Sequence, residues 1–258
     1  MKAVILAAGY ATRLYPTTKD TPKTLLPIAG KSILEYTVAQ IATCQDIDRI
    51  YLVTNSRFYG NFRGWLDTYT SGGSPRYSAP EIVLIDDGTR DNSERLGSIG
   101  DLQLAIKTQQ LDDDLLVICS DKMFEFKMSD FVEFFRMRGE AVNACFDTGD
   151  PEAVRGKHGC VQLDEKGRIL EFQEKPLEPK STVQSIAFYI YPRTSLHLVG
   201  KYLEGGGTPD APGFLLQWVC QRILVYAWVF TEPCYDVGTP ESYRRVDRLY
   251  RSRLFGIT

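Results

Sequence analysis

What most constrains this chain is an alternation in its first half, where short, nearly continuous apolar runs take turns with segments of helical spacing. "KAVILAA" (2–8), "RIYLVTN" (49–55), "EIVLIDDG" (81–88) and "DDLLVICSD" (113–121) read as strands. Runs with so little polar alternation suit strands covered on both faces. Between them, "SILEYTVAQIATC" (32–44) sets Ile33, Leu34, Val38 and Ile41 near helical spacing behind an N-cap at Ser32. "SRFYGNFRGWLDTY" and 98–111 also read as helices, while "SGGSPRYSAP" (71–80) reads as a loop. "SDFVEFFRMRG" (129–139) opens on a Ser-Asp cap, with positions 131, 132, 134 and 135 on one face. Such β-α repetition predicts an α/β fold: a mostly parallel central sheet with helices on both sides.

After "AVNACFDTG" (141–149) the rhythm changes. "GCVQLDEKGRILEFQEKP" (159–176) reads as a hairpin around Asp-Glu-Lys-Gly. "VQSIAFYIYP" and "RILVYAWVF" are further strands, and "YDVGTPESYRRVDRLYRSRL" a turn and closing helix. The most loop-like stretch is 204–213. With no repeat or linker, one domain is expected over 1–258, its second half (141–258) carrying an inserted antiparallel section.

Bulk properties exclude some classes. A net charge of −3 over 258 residues offers no broad basic field for nucleic acid or an anionic membrane. No apolar run approaches the roughly 20 residues of a spanning helix. The N-terminus lacks a signal-peptide pattern, so a cytoplasmic location is expected. Six scattered cysteines form no CxxC pair or zinc spacing, and most sit in apolar runs as small hydrophobes.

"LAAGYATRLYPTTKDTPKTLLPI" (6–28) follows the first strand directly. Ligands of open parallel sheets bind beyond the carboxyl ends of the strands, which is where this loop lies. Gly9 permits a close turn, Arg13 supplies a donor fork suited to phosphate, and Lys23 adds a compact charge whose approach Pro22 stiffens. The stretch contains neither GxGxxG nor GxxxxGK[ST].

From residue 6 to 36 the string resembles the opening of the sugar-phosphate nucleotidylyltransferases, roughly LAAGxGTRLxPxTxxxPKxLLPIxGKPxLEY. Ala11 stands for the second glycine and Ser32 for the proline. The resemblance implies a Rossmann-like three-layer nucleotidyltransferase fold, in which a phosphorylated acceptor attacks the α-phosphorus of a nucleoside triphosphate and expels pyrophosphate. Residues 1–140 would be the nucleotide half and 141–258 the acceptor half. Leu6, Ala8 and Gly9 would line the nucleotide site, with Arg13 and Lys23 as the catalytic cations. Magnesium would be the cofactor, held by Asp121 at a strand end and by Asp236 in "CYDVGTPESY", which is similar to the family's W-x-D-x-GTPE. "FQEKP" (172–176) is similar to EEKP, so Glu174 would hold acceptor hydroxyls and Lys175 the acceptor phosphate. Gly159 would lie against the acceptor and Tyr189 would wall its pocket.

For the base, Gly97 matches a turn glycine and Asn92 offers an amide donor and acceptor. Asp101 is read as a first-turn residue favourable to the helix dipole. His158 is read as a solvent or substrate edge, not a base, and Lys122, beside Asp121, as facing either phosphate or solvent. Nothing follows residue 258, so the resemblance does not extend to a β-helix acyltransferase domain, and a single activity is expected. Family members are often homo-oligomers, although no interface is legible. Two acceptor classes stay open: a sugar 1-phosphate, or, with CTP as donor, a non-sugar phosphate or phosphonate such as phosphocholine or a polyol phosphate.

Overall fold

The computed structural model describes residues 1–71 and 80–255. Most of the loop read at 71–80 therefore lies outside the described residues. In chain order the elements begin β1 (Lys2–Leu6), β2 (Pro27–Ile28), β3 (Lys31–Ser32), α1 (Ile33–Ile41), β4 (Arg49–Thr54), α2 (Tyr59–Ser71) and β5 (Glu81–Asp86). There follow α3 (Ser98–Thr108), β6 (Leu115–Cys119), β7 (Lys122–Phe124), α4 (Met128–Arg138), β8 (Ala141–Asp147) and α5 (Pro151–Val154). The chain continues through β9 (Gly159–Leu163), β10 (Ile169–Gln173), β11 (Val183–Tyr191), α6 (His197–Glu204), α7 (Pro212–Val219), β12 (Val225–Phe230), β13 (Cys234–Asp236) and α8 (Pro240–Phe255).

The four apolar runs of the first half become the parallel set β6-β1-β4-β5. In register, Leu6 stands level with Val53 and Cys119, so three strand ends open on one edge. Beyond β6 the sheet continues through antiparallel β11, flanked by β8 (with parallel β12) and by the expected β9–β10 hairpin. One sheet thus passes through both halves of the chain.

Both faces of that sheet are covered. Successive β1 residues point to opposite sides, as strand geometry requires. Ala3 and Ile5 join a core with Leu34 and Val38 of α1 and Phe131 and Phe135 of α4. Val4 and Leu6 join another with Leu102 of α3, Leu198 of α6 and Leu216 of α7. The result is the three-layer α/β arrangement expected.

Ser32 caps α1 in a full capping box with Glu35. The Ser-Asp cap read for α4 is corrected: the helix starts at Met128, its N-cap is Lys127 without a side-chain bond, and Asp130 falls in the first turn. The reading of 204–213 as loop also ends early, because Pro212 opens α7 at the position where its missing N–H costs nothing. Two further features were not anticipated. One is α6; the other is the small antiparallel sheet of β7 and β13, which sets Asp236 opposite Lys122. Ile28, Ile33, Met123, Val237 and Val246 form the apolar cluster that fastens this small sheet and α8 to the start of α1.

Candidate active site

The loop after β1 is fixed by its neighbours. Ala7 N–H donates to Val53 O at 2.9 Å, Ser120 Oγ donates to Leu6 O at 2.9 Å, and Asn55 Nδ2 donates to Ala8 O at 2.8 Å. Ala11, the departure from the family glycine, takes the left-handed conformation (φ 46, ψ 43), and Thr18 Oγ1 donates to its carbonyl at 2.8 Å. The backbone that a glycine would adopt is kept, at a cost of about 1–2 kcal/mol for an L-residue. Ala187 also has positive φ (61), at an irregularity of β11 where its N–H donates to Ser185 Oγ.

Two cavities meet at the strand ends. The smaller, of about 200 Å³, is lined by Leu6, Ala8, Gly9, Ala11, Lys23, Thr24 and Asp101. The larger, of about 870 Å³, contains Arg13, Lys122, His158, Gly159, Glu174, Lys175, Tyr189 and Asp236. Ser98, Cys119 and Asp121 line both. Asp121 sits just past β6 on the shared wall.

Four charged side chains tie this wall together. Lys23 Nζ lies 3.3 Å from Asp121 Oδ2, and Lys122 Nζ 3.0 Å from Asp236 Oδ2. Val237 N–H donates to Asp121 O at 3.2 Å, which brings the far C-terminal segment onto β6. Gly238 N–H donates to Asp236 Oδ1 at 2.6 Å. A Cβ at Gly238 would meet Asp236 Oδ1 at 2.5 Å and Arg13 Nη2 at 3.7 Å, so this glycine lies between the carboxylate and the guanidinium without separating them by a side chain. Burial raises the Asp121 carboxyl, but Lys23 and Lys122 outweigh it and hold the group below its ordinary range. Burial likewise opposes charge on Lys122, yet Asp121 and Asp236 keep it firmly cationic. Lys122 therefore faces the carboxylates of the wall and not solvent.

On the acceptor side, Gly159 packs so close to the Phe172 ring that any Cβ would overlap it. Glu174 has a side chain only 8% exposed, and its carboxylate lies over Gly213 of α7, where a Cβ would collide with Oε2. Glu174 N–H donates to Gln217 Oε1 of the same helix at 3.1 Å. Burial raises the Glu174 carboxyl, with Lys175, whose Nζ is 3.8 Å away, opposing. Lys175 itself has φ 47, a turn that lets consecutive side chains both face the cavity. Burial and the Lys122 charge lower the His158 imidazole, which lines the larger cavity. Tyr189 is buried in the cavity wall, stacked on Tyr191.

Neither base-side residue lines either cavity. Asn92 lies on an exposed turn outside both cavity walls, with its carbonyl accepting from Arg95 at 3.1 Å. The structure does not bring it to the site. Gly97 (φ 79) caps α3 and abuts the chain at Pro209, whose oxygen a Cβ would meet at 2.5 Å. The first amides of α3 are occupied too: Ser98 N–H donates to Asp210 O and Ile99 N–H to Pro209 O. Asp101 lies in the first turn of α3, as expected, but its burial was not anticipated. It is 5% exposed, in hydrogen-bonding contact with Asp87, and pushed up to about 8 by burial and then by that neighbour. Sequence reasoning missed Asp87 and Thr24 altogether. The available signal was helical spacing, since Asp101 is one turn from buried Ala105 and next to buried Leu102.

As a metal site, the wall offers two carboxylates, and no group of three or more His, Cys, Asp or Glu side chains occurs among the described residues. Two hard oxygen donors suit magnesium, which ordinarily takes one or two carboxylates and completes its shell with water and phosphate.

The chain is 30% identical over 261 residues to a UTP–glucose-1-phosphate uridylyltransferase of Synechocystis, covering 98% of this chain and 64% of the relative. It is 27% identical to a mannose-1-phosphate guanylyltransferase of Mycobacterium tuberculosis, covering 94% of this chain and 62% of the relative. It thus spans about three-fifths of the length of these relatives. Its fold matches a UTP-bound UGPase from Acinetobacter baumannii with a TM-score of 0.79, at 18% identity over 98% of this chain and 93% of the other. Residues 2–253 match the sequence profile of the nucleotidyl transferases, and the chain belongs to that family.

Proposed function

We propose that the chain transfers a nucleotidyl group from a nucleoside triphosphate to a sugar 1-phosphate, releasing pyrophosphate and acting in the cytoplasm. The observation that carries this reading is the shared wall: Asp121 lines both the cavity of the β1 loop and the cavity of Glu174 and Lys175. A triphosphate in the first and a phosphorylated acceptor in the second would meet beside that residue. The acceptor phosphate is ionised near neutral pH, so no general base is needed. Alignment and charge neutralisation carry the reaction.

In this reading Arg13 and Lys23 neutralise the triphosphate, with Lys23 exchanging Asp121 for a phosphate oxygen. Lys175 meets the acceptor phosphate, and Glu174 accepts hydrogen bonds from acceptor hydroxyls. Asp121 and Asp236 would hold magnesium, which supplies further charge neutralisation at phosphate oxygens. Pyrophosphate release from a panel of four triphosphates and phosphorylated acceptors, sugar and non-sugar, tests the reading. Release with a sugar 1-phosphate that is lost in Asp236→Asn supports it. Silence with every pair, or release only with a non-sugar acceptor, overturns it.

A further inference from the structure

The smaller cavity holds polar atoms that the protein itself leaves without partners. Thr24 Oγ1 is buried in its wall with no hydrogen bond. Asp101 Oδ1 and Asp87 Oδ2 are likewise buried without a donor, and the two carboxyl groups are in contact. Buried polar atoms normally find partners, and leaving one unmet costs about 1–3 kcal/mol. One proton shared by the two carboxyl groups satisfies the facing oxygens. The rest of Asp87 is already engaged: its Oδ1 accepts from Thr89 N–H at 2.7 Å and Thr89 Oγ1 at 2.8 Å, and Tyr10 OH closes the chain on Thr89 at 2.9 Å. Asp87 is thereby a fixed acceptor. The proton belongs to Asp101, which lines the cavity and whose carboxyl group accepts no hydrogen bond from another protein donor among the described residues.

The other walls narrow what would meet that oxygen. Lys23 and Asp121 are the charged, phosphate-side groups of the cavity, whereas Ala7, Ala8, Gly9 and Ala11 present backbone and methyl groups. Ser120 Oγ is spent on Leu6 O. An ionised carboxylate would repel a polyanion here; a neutral one offers a hydrogen-bond acceptor without charge. We propose that Asp101, held by Asp87, and the hydroxyl of Thr24 form the base-reading element of the nucleotide cavity, with Asp101 accepting from a nucleobase N–H. This rests on the nucleotidyl-transfer reading above, and it gives base selection to α3 rather than to the turn carrying Asn92.

The test compares kcat/KM for ATP, CTP, GTP and UTP, with a saturating acceptor, in the wild type, Asp101→Leu, Asp101→Asn and Thr24→Val. Loss of one neutral hydrogen bond predicts that the ratio of best to worst triphosphate collapses about tenfold in Asp101→Leu. Asp101→Asn, whose amide donates to Asp87 and still presents a carbonyl, restores most of that ratio. Thr24→Val, isosteric and so expected to fold, lowers the ratio in the same direction; it decides the matter if Asp101→Leu does not fold. An equal loss for all four triphosphates, as a ribose or phosphate contact would give, overturns the proposal, and so do unchanged ratios. A wild type that turns over no triphosphate instead defeats the underlying functional reading.

Discussion

Replacing Lys122 by methionine isolates the electrostatic arrangement of the shared wall. The lysine side chain is 9% exposed and its Nζ lies 3.0 Å from Asp236 Oδ2, while Asp236 is 42% exposed. At an effective dielectric of about 20 the gross attraction at that distance is roughly 5 kcal/mol. Desolvation of the lysine and solvent at the open carboxylate remove much of it. Fully exposed pairs are worth about 0–1 kcal/mol, and breaking a fully buried one costs about 3–5 kcal/mol. A half-open pair therefore falls near 2 kcal/mol, or about 4–8 °C in Tm for a chain of this size. The substitution also leaves Asp121 and Asp236 without the cation that faces both. Magnesium should then stabilise the variant more than the wild type, so that the gap in Tm narrows when the ion is added. Thermal unfolding of both proteins, with EDTA and with saturating magnesium, gives the four values needed. A Tm unchanged in EDTA would mean the ion pair contributes nothing, and a gap indifferent to magnesium would mean the two carboxylates do not share an ion.

Gly213→Ala places a methyl group on the Glu174 carboxylate; KM for the acceptor should rise about tenfold or more while KM for the triphosphate holds, in initial-rate assays with each substrate varied. Ala187→Gly relieves a left-handed alanine (φ 61) and should leave Tm unchanged or raise it by an amount worth up to about 1 kcal/mol; a fall in Tm would show the strain is absent. Asp101 has a folded-state pKa raised to about 8, so its contribution to stability is complete below the unfolded value near 4 and is lost as pH rises through about 8. Denaturant midpoints of the wild type should accordingly fall across that window relative to Asp101→Asn, and parallel curves would contradict the assignment.

The parallel half was legible because its signals are local. β1, β4, β5 and β6 are continuous apolar runs, and the capping box of Ser32 and Glu35 announces α1. The β9–β10 hairpin likewise declares itself through Gly167 (φ 77) in its turn. What escaped depends on partners distant in sequence. Lys122 and Asp236 face each other only because two three-residue strands pair, and strands so short carry no periodicity. α7 was obscured by Gly and Pro, yet Leu215, Leu216 and Val219 are buried against the sheet, and that burial outweighs the loop-like composition. Asn92 was drawn in by spacing from Gly97, although the chain between them turns outward, where Arg95 pairs with Asp210 at 2.9 Å.

These particulars bear on how the site is held ready before any substrate arrives. Lys23 and Lys122 are each paired with a carboxylate of the shared wall, so neither cation is an isolated, costly charge in a partly dry cavity. An incoming phosphate must win Lys23 from Asp121, and the carboxylate so released becomes a more attractive ligand for a divalent ion. Triphosphate and metal should then bind with positive coupling, each removing a charge that opposes the other, and linkage requires the effect to be reciprocal. Neutrality of Asp101 fits the same logic, since a second uncompensated carboxylate in the smaller cavity would work against the polyanion that Lys23 is placed to receive.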